Sequence, residues 1–308
     1  MAELSLQTRI AKYFLHLITR AVNRLPLDMR RSLPDRAGKL RQKKNPDLQI
    51  RSVNIGGVEC EWVYLDQDDN LPVIVYFHGG GYVTGSLLSA RVLATNLALN
   101  LPVRLLTVNY RLAPEYPFPA ALDDAIAVYR NLIAEGINPA KVALIGDSAG
   151  GGLSLAATMA IRDSQLPTPA CIVLLSPWTD LASRSPSLRT KVEKDVVLTP
   201  DEIREFANLY GGKTRLDNPY MSPVYGNFNK LPPILIHVGS DEILLDDANR
   251  VTTAAHEAGV DVTLRIWPGM FHVFSLAADL LPEARESMAE VTAFLLQQLT
   301  KKTATVIN

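Results

Sequence analysis

Between residues 71 and 300, apolar runs of strand length alternate with segments of helical periodicity, and this pattern limits the chain to few architectures. The runs are LPVIVYFH (71–78), VRLLTVNY (103–110), KVALIG (141–146), CIVLLSP (171–177), PILIHVG (233–239) and VTLRIW (262–267). Helices are expected between them, at about 87–100, 119–135, 149–162 and 245–258, with a last one at about 282–300. Strands this apolar are buried on both faces, which helices flanking a sheet accomplish. The expectation is an α/β fold with a mostly parallel sheet and helices on both faces. Strand texture begins near residue 50, and VECEWVYL (58–65) alternates as a half-buried strand does.

The alternation breaks at about 181–222, a polar stretch without a sheet-like run. It does carry one clear helix signal. Thr199 is placed to cap, Pro200 suits the first helical position, and Glu202 completes a capping box. Ile203, Phe206, Ala207 and Tyr210 share one face, and Gly211–Gly212 end the helix. The segment reads as a helical insertion above the sheet. Residues 1–45 read as two short helices and a linker interrupted by Pro26, Pro34 and Pro46. Ile10, Phe14, Leu17, Ile18 and Ala21 have the spacing of one buried helix face.

Of 308 residues, 47% are hydrophobic and 20% charged, which excludes a disordered chain. Two cysteines, Cys60 and Cys171, cannot make a disulfide scaffold. The net charge is −1, but residues 1–51 carry 12 Lys/Arg against 4 Asp/Glu, a net of +8. Scattered basic residues of this kind are read first as a solvated helix pair on an acidic body, and second as a contact for an anionic membrane surface. No nucleic-acid motif is present. No apolar run reaches the roughly 20 residues of a membrane span, and YFLHLI (13–18) is too short for a signal core. A soluble, cytoplasmic protein without stable membrane insertion is expected.

Gly146-Asp147-Ser148-Ala149-Gly150 follows a buried strand and opens a helix. At such a turn the serine is held strained and exposed at the sheet's carboxyl edge, and its flanking glycines avoid clashes with the passing chain. Ser148 is therefore the candidate nucleophile. His78-Gly79-Gly80-Gly81 follows the strand at 71–78 and is a candidate oxyanion loop. Gly80, Gly81 and Ala149 are its expected amide donors, with Gly79 a further candidate. His78 is expected to support the loop, and Tyr82 to line a substrate pocket or to pack.

A serine needs a base, and the base an orienting carboxylate. Of five histidines, His16 precedes the sheet, His237 lies inside a strand, His256 sits on a solvated helix face, and His78 belongs to the glycine loop. His272, just past the strand VTLRIW, remains as the base. Asp241, directly after PILIHVGS, is the expected acid, with Glu242, Asp246 and Asp247 as neighbouring competitors. The order Ser148, Asp241, His272 is that of α/β-hydrolases.

HGGGYVTGS (78–86), YRLAPE (110–115), GDSAGG (146–151), SPWTDL (176–181) and PGMFH (268–272) together resemble the hormone-sensitive lipase family, in its bacterial esterase branch. The resemblance covers about residues 50–300. It implies an α/β-hydrolase with a cap made of 1–45 and the insertion at 181–222, a catalytic domain spanning 46–308, and hydrolysis of short- to medium-chain carboxylic esters. It implies no metal and no organic cofactor, a small-molecule ester as partner, and frequent homodimers. Many members carry Asp-Pro-Leu at the acid, where this chain has Asp241-Glu242-Ile243. Lactone hydrolysis and amide deacetylation would use the same triad. A non-catalytic receptor on this scaffold would lack the histidine, which is present.

Overall fold

A computed structural model describes residues 4–22, 24–41 and 45–301. Residues 42–44 of the expected linker lie outside that set. Two helices come first, α1 (Leu6–Val22) and α2 (Leu27–Arg41). The hairpin β1 (Gln49–Ile55) and β2 (Val58–Tyr64) turns at Gly56–Gly57, both at positive φ. The alternating layer follows as β3 (Val73–Phe77), α3 (Leu87–Asn100), β4 (Arg104–Val108), α4 (Ala120–Ala134), β5 (Val142–Asp147), α5 (Ala149–Asp163) and β6 (Cys171–Leu175). Between β6 and the next strand lie α6 (Ser187–Thr190) and α7 (Pro200–Gly211). The last elements among the described residues are β7 (Ile234–Gly239), α8 (Leu245–Glu257), β8 (Val262–Trp267) and α9 (Pro282–Leu299).

The eight strands form one sheet in the order β1-β2-β4-β3-β5-β6-β7-β8. β1–β2 and β2–β4 are antiparallel, and every other pair is parallel. β3 shows why its run is apolar throughout. Val73, Val75 and Phe77 face the layer of α4 and α5, while Ile74 and Tyr76 face the layer of α3 and α9. Side chains alternate along a strand, so both faces need apolar residues when both are covered. The carboxyl ends of β3, β5, β6, β7 and β8 meet along one edge, and the loops that follow them build the site.

α7 begins as its sequence signals, with the Thr199 hydroxyl accepting from the Glu202 N–H at 3.3 Å. It is tied to the N-terminal helices through Arg30, which donates to Glu205 and lies over the Phe206 ring. α2 runs straight through Pro34 instead of stopping there. A proline costs a helix one backbone bond; here α2 packs closely on α3, where a Cβ on Gly38 would lie 2.4 Å from the Leu88 carbonyl oxygen.

α1 departs from its expected orientation. Ile10, Phe14, Leu17 and Ile18 are 49 to 56% exposed instead of forming a buried face. The side that meets the body carries Ala11 and Leu15 together with polar anchors. Ser5 and Thr8 bond to Glu283, Thr19 donates to the Val196 carbonyl, and Lys12 Nζ reaches Asp241 Oδ2 at 2.6 Å and the Gly269 carbonyl at 2.7 Å. Four polar anchors decide which face turns inward; periodicity gives the stripe but not its direction.

Candidate active site

Ser148 sits between β5 and α5 with φ 52° and ψ −120°. A non-glycine residue there stores about 1–3 kcal/mol of strain, and it persists because the surroundings leave no alternative. The Ser148 N–H donates to the Leu175 carbonyl and its own carbonyl accepts from the Trp178 N–H, at 2.8 and 2.9 Å. A Cβ on Gly150 would lie 2.0 Å from the Phe77 oxygen, and one on Gly146 would lie 2.1 Å from the Gly150 oxygen. The two glycines let strand, elbow and glycine loop meet at backbone contact distance.

His272 Nε2 lies 2.9 Å from Ser148 Oγ, and His272 Nδ1 lies 2.8 Å from Glu242 Oε2. The carboxylate on the histidine is Glu242, and this corrects the expectation of Asp241. Both residues lie in the turn after β7, and their side chains part there. Asp241 turns outward onto Lys12, while Glu242 turns inward and is fully buried. Its other oxygen, Oε1, accepts from Ser176 Oγ at 2.6 Å and from the Gly239 N–H at 2.5 Å. Asp246 and Asp247 have other duties. Asp246 accepts from the Ser187 N–H, and Asp247 accepts from the Thr179 and Asp180 amides, which ties the insertion to α8.

Burial works against a charged His272. The hydrogen bond and charge of Glu242, with the charges of Asp195 and Asp147, outweigh it and hold the imidazole above its usual value. Asp195 was not anticipated as part of the site. It lies in the insertion, and its Oδ2 accepts from the Ile243 N–H at 2.8 Å, next to Glu242. Burial raises its own pKa, as it does that of Asp147. Ser176 was also missed; it holds Glu242 and accepts from the Val273 N–H. A serine ending a parallel strand beside the acid was the available signal.

The glycine loop sorts its own amides. Gly79 N–H donates to Asp147 Oδ1 at 2.9 Å, beside the Tyr76 hydroxyl at 2.6 Å. That commits Gly79 elsewhere and removes it as an oxyanion donor. Gly80 and Gly81 have φ of 116° and 63°, and among the described residues their amides meet no protein acceptor. Ala149 is the first residue of α5, so its N–H has no intrahelical partner either. The His78 side chain meets its own loop: Nδ1 lies 2.7 Å from the Gly79 oxygen and the ring stacks on Tyr110. Burial pulls its pKa down to about 4. His237 is likewise a core residue, with Nδ1 2.8 Å from Ser287 Oγ and a pKa pulled down to about 3 by burial. Tyr82 packs, with its ring buried and stacked on Tyr210 of α7 at 3.9 Å.

An apolar groove of about 650 Å³ ends on His272 and Val273. Ile10, Phe14 and Ile18 of α1 form one wall, and Leu276, Leu280 and Leu281 the other. Among the described residues no cluster of three or more His, Cys, Asp or Glu side chains could hold a metal ion. Cys60 and Cys171 are free and buried, and burial pushes both thiols up to about 12, which makes them poor nucleophiles.

A buried Ser–His–Glu relay at a strained elbow, beside unengaged backbone amides, defines a serine hydrolase site. A family model described as alpha/beta hydrolase fold matches residues 74–276. An acetyl-hydrolase of Streptomyces hygroscopicus is 42% identical over 243 residues, which cover 79% of this chain and 81% of that protein. An ethyl acetate hydrolase of Pseudomonas putida is 34% identical, with 73% of each chain covered. The crystal structure of an esterase from the bacterial hormone-sensitive lipase family superposes with a TM-score of 0.89 at 38% identity, over 97% of this chain and all of that one. The chain belongs to the hormone-sensitive lipase family of α/β-hydrolases.

Proposed function

We propose that this carboxylic ester hydrolase acts on small esters with short to medium acyl chains through a Ser148–His272–Glu242 triad. The observation that carries the reading is the continuous relay from Ser148 Oγ through both ring nitrogens to Glu242, at 2.9 and 2.8 Å. Ser148 Oγ attacks the ester carbonyl while His272 Nε2 takes its proton. The carbonyl π pair moves onto oxygen, and the amides of Gly80, Gly81 and Ala149 stabilise that anion. Each such donor is typically worth about 10²–10³ in turnover. The tetrahedral intermediate collapses, the bond to the alkoxy oxygen breaks, and the imidazolium protonates the departing alcohol. Water then repeats the sequence on the acyl-enzyme and returns Ser148.

We further propose that α1, α2 and the segment at 181–222 act as a cap. α7 supports this, since a Cβ on Gly81 would lie 2.1 Å from Phe206 of that helix. His272 must reach the leaving oxygen, so the groove that ends on His272 holds the alcohol portion of the ester. The acyl portion lies on the Ser148 side. The name of the ethyl acetate hydrolase describes a small ester, and that of the acetyl-hydrolase a short acyl group. A cytoplasmic location is part of the proposal; among the described residues no helix is long and apolar enough to cross a membrane. Homodimerisation through the edge strand β8 stays with it.

Two ester series test the assignment. At fixed acetate, kcat/KM should rise by roughly fourfold per added alcohol methylene until the groove is filled, as burial of about 0.8 kcal/mol per methylene requires. At fixed p-nitrophenol, activity should fall once the acyl chain passes medium length. A flat alcohol series would remove the groove from the binding site. No turnover of any ester by folded protein, with turnover of lactones or amides, would replace the substrate class.

A further inference from the structure

We infer that α1 is a docking helix for an anionic lipid surface, and that it sets the mouth of the His272 groove against that surface. This goes beyond the esterase reading. α1 presents three sides at helical spacing. Thr8, Lys12 and Thr19 are fixed to the body. Ile10, Phe14 and Ile18 line the groove. Leu6, Tyr13 and Leu17 leave the helix away from both, and each is 50 to 66% exposed. Ala11 and Leu15 pack on the core, but Leu6, Tyr13 and Leu17 turn outward, which leaves a second apolar face on this helix without cover. Leu280, 58% exposed, extends the apolar surface across the groove mouth.

Charge selects the occupant. Arg9 of α1 and Arg24, just past its end, are exposed, as are Arg36 and Lys39 of α2. The first 51 residues carry 12 Lys/Arg against 4 Asp/Glu. An apolar strip together with basic side chains matches anionic headgroups over an acyl layer. A second copy of this chain would bring two such basic segments together across a self-complementary contact, and like charges oppose that.

The test uses full-length Ser148→Ala protein, so that binding is read without turnover and a failed triad leaves the result interpretable. It is co-sedimented at physiological salt with vesicles of phosphatidylglycerol and phosphatidylcholine, and with phosphatidylcholine alone. Binding to the anionic vesicles is expected. Tyr13→Ser/Leu17→Ser should lower the partition coefficient by about tenfold or more, because both side chains would otherwise enter the acyl boundary. In the Ser148 background the same pair should leave hydrolysis of a water-soluble acetate within about twofold, since neither residue lines the groove. Absence of binding to anionic vesicles overturns the inference. So does binding that the double variant retains, or a dimer in light scattering that the double variant abolishes.

Discussion

Ser148→Ala should lower kcat on a short p-nitrophenyl ester by about 10⁶-fold, with KM changed little and the fold intact. The substitution removes the attacking oxygen and nothing that holds the elbow. Strain at Ser148 belongs to the backbone, and its two backbone hydrogen bonds, to Leu175 and from Trp178, survive the change. Residual turnover would come from the oxyanion donors and groove acting on free water. Kinetics beside a thermal melt separate loss of chemistry from loss of folding. A variant that melts normally and keeps a tenth of the activity would remove Ser148 as nucleophile.

Glu242→Gln should lower kcat by about 10⁴-fold, while Asp241→Asn should cost less than about fivefold. The contrast follows from what each carboxylate touches. Ser176 Oγ and the Gly239 N–H both aim donors at Oε1. A glutamine would turn its carbonyl oxygen to those donors and its NH₂ to His272 Nδ1. That nitrogen would then have to accept, the ring proton would move to Nε2, and Nε2 could no longer take the proton of Ser148. Asp241 meets Lys12 of α1 and bonds to neither Ser148 nor His272, so its loss touches the anchoring of the helix and not the proton relay. The pH profile adds a second readout. The base acts when neutral, so kcat/KM falls as pH drops through the His272 pKa. Glu242 raises that pKa and burial lowers it. Without the Glu242 charge the acid limb should move to lower pH. Equal losses in the two variants, or an unmoved limb, would count against Glu242 as the acid.

The parts that sequence disclosed were those in which chemistry and local backbone coincide. GDSAG between a buried strand and a glycine-rich helix located Ser148, and HGGG after β3 located the loop, because both work through nearby glycines. The order of strands and helices followed from apolar runs that need cover on both faces. The parts it concealed depend on partners far along the chain. Asp241 and Glu242 differ by one position at a strand end, and the choice between them rests on Lys12, Ser176 and His272. The stripe on α1 was legible as a stripe, but its outward direction is set by contacts with Glu283, Val196, Asp241 and Gly269. β1 carries little strand signal of its own, since QIRSVNI shows little apolar alternation and gains its form from pairing with β2. Gly79 was distinguishable from Gly80 and Gly81 only once Asp147 was seen to hold its amide.

The acyl-enzyme tests the account most directly. Wild-type protein turning over p-nitrophenyl acetate is quenched in acid within a few turnovers, digested and mapped by mass spectrometry. One acetyl group is expected on the peptide carrying Ser148, chasing to free acetate when quenching is delayed, and absent from the Ser148→Ala variant. Turnover with no acetyl on Ser148, or with the acetyl on another residue, would contradict the mechanism.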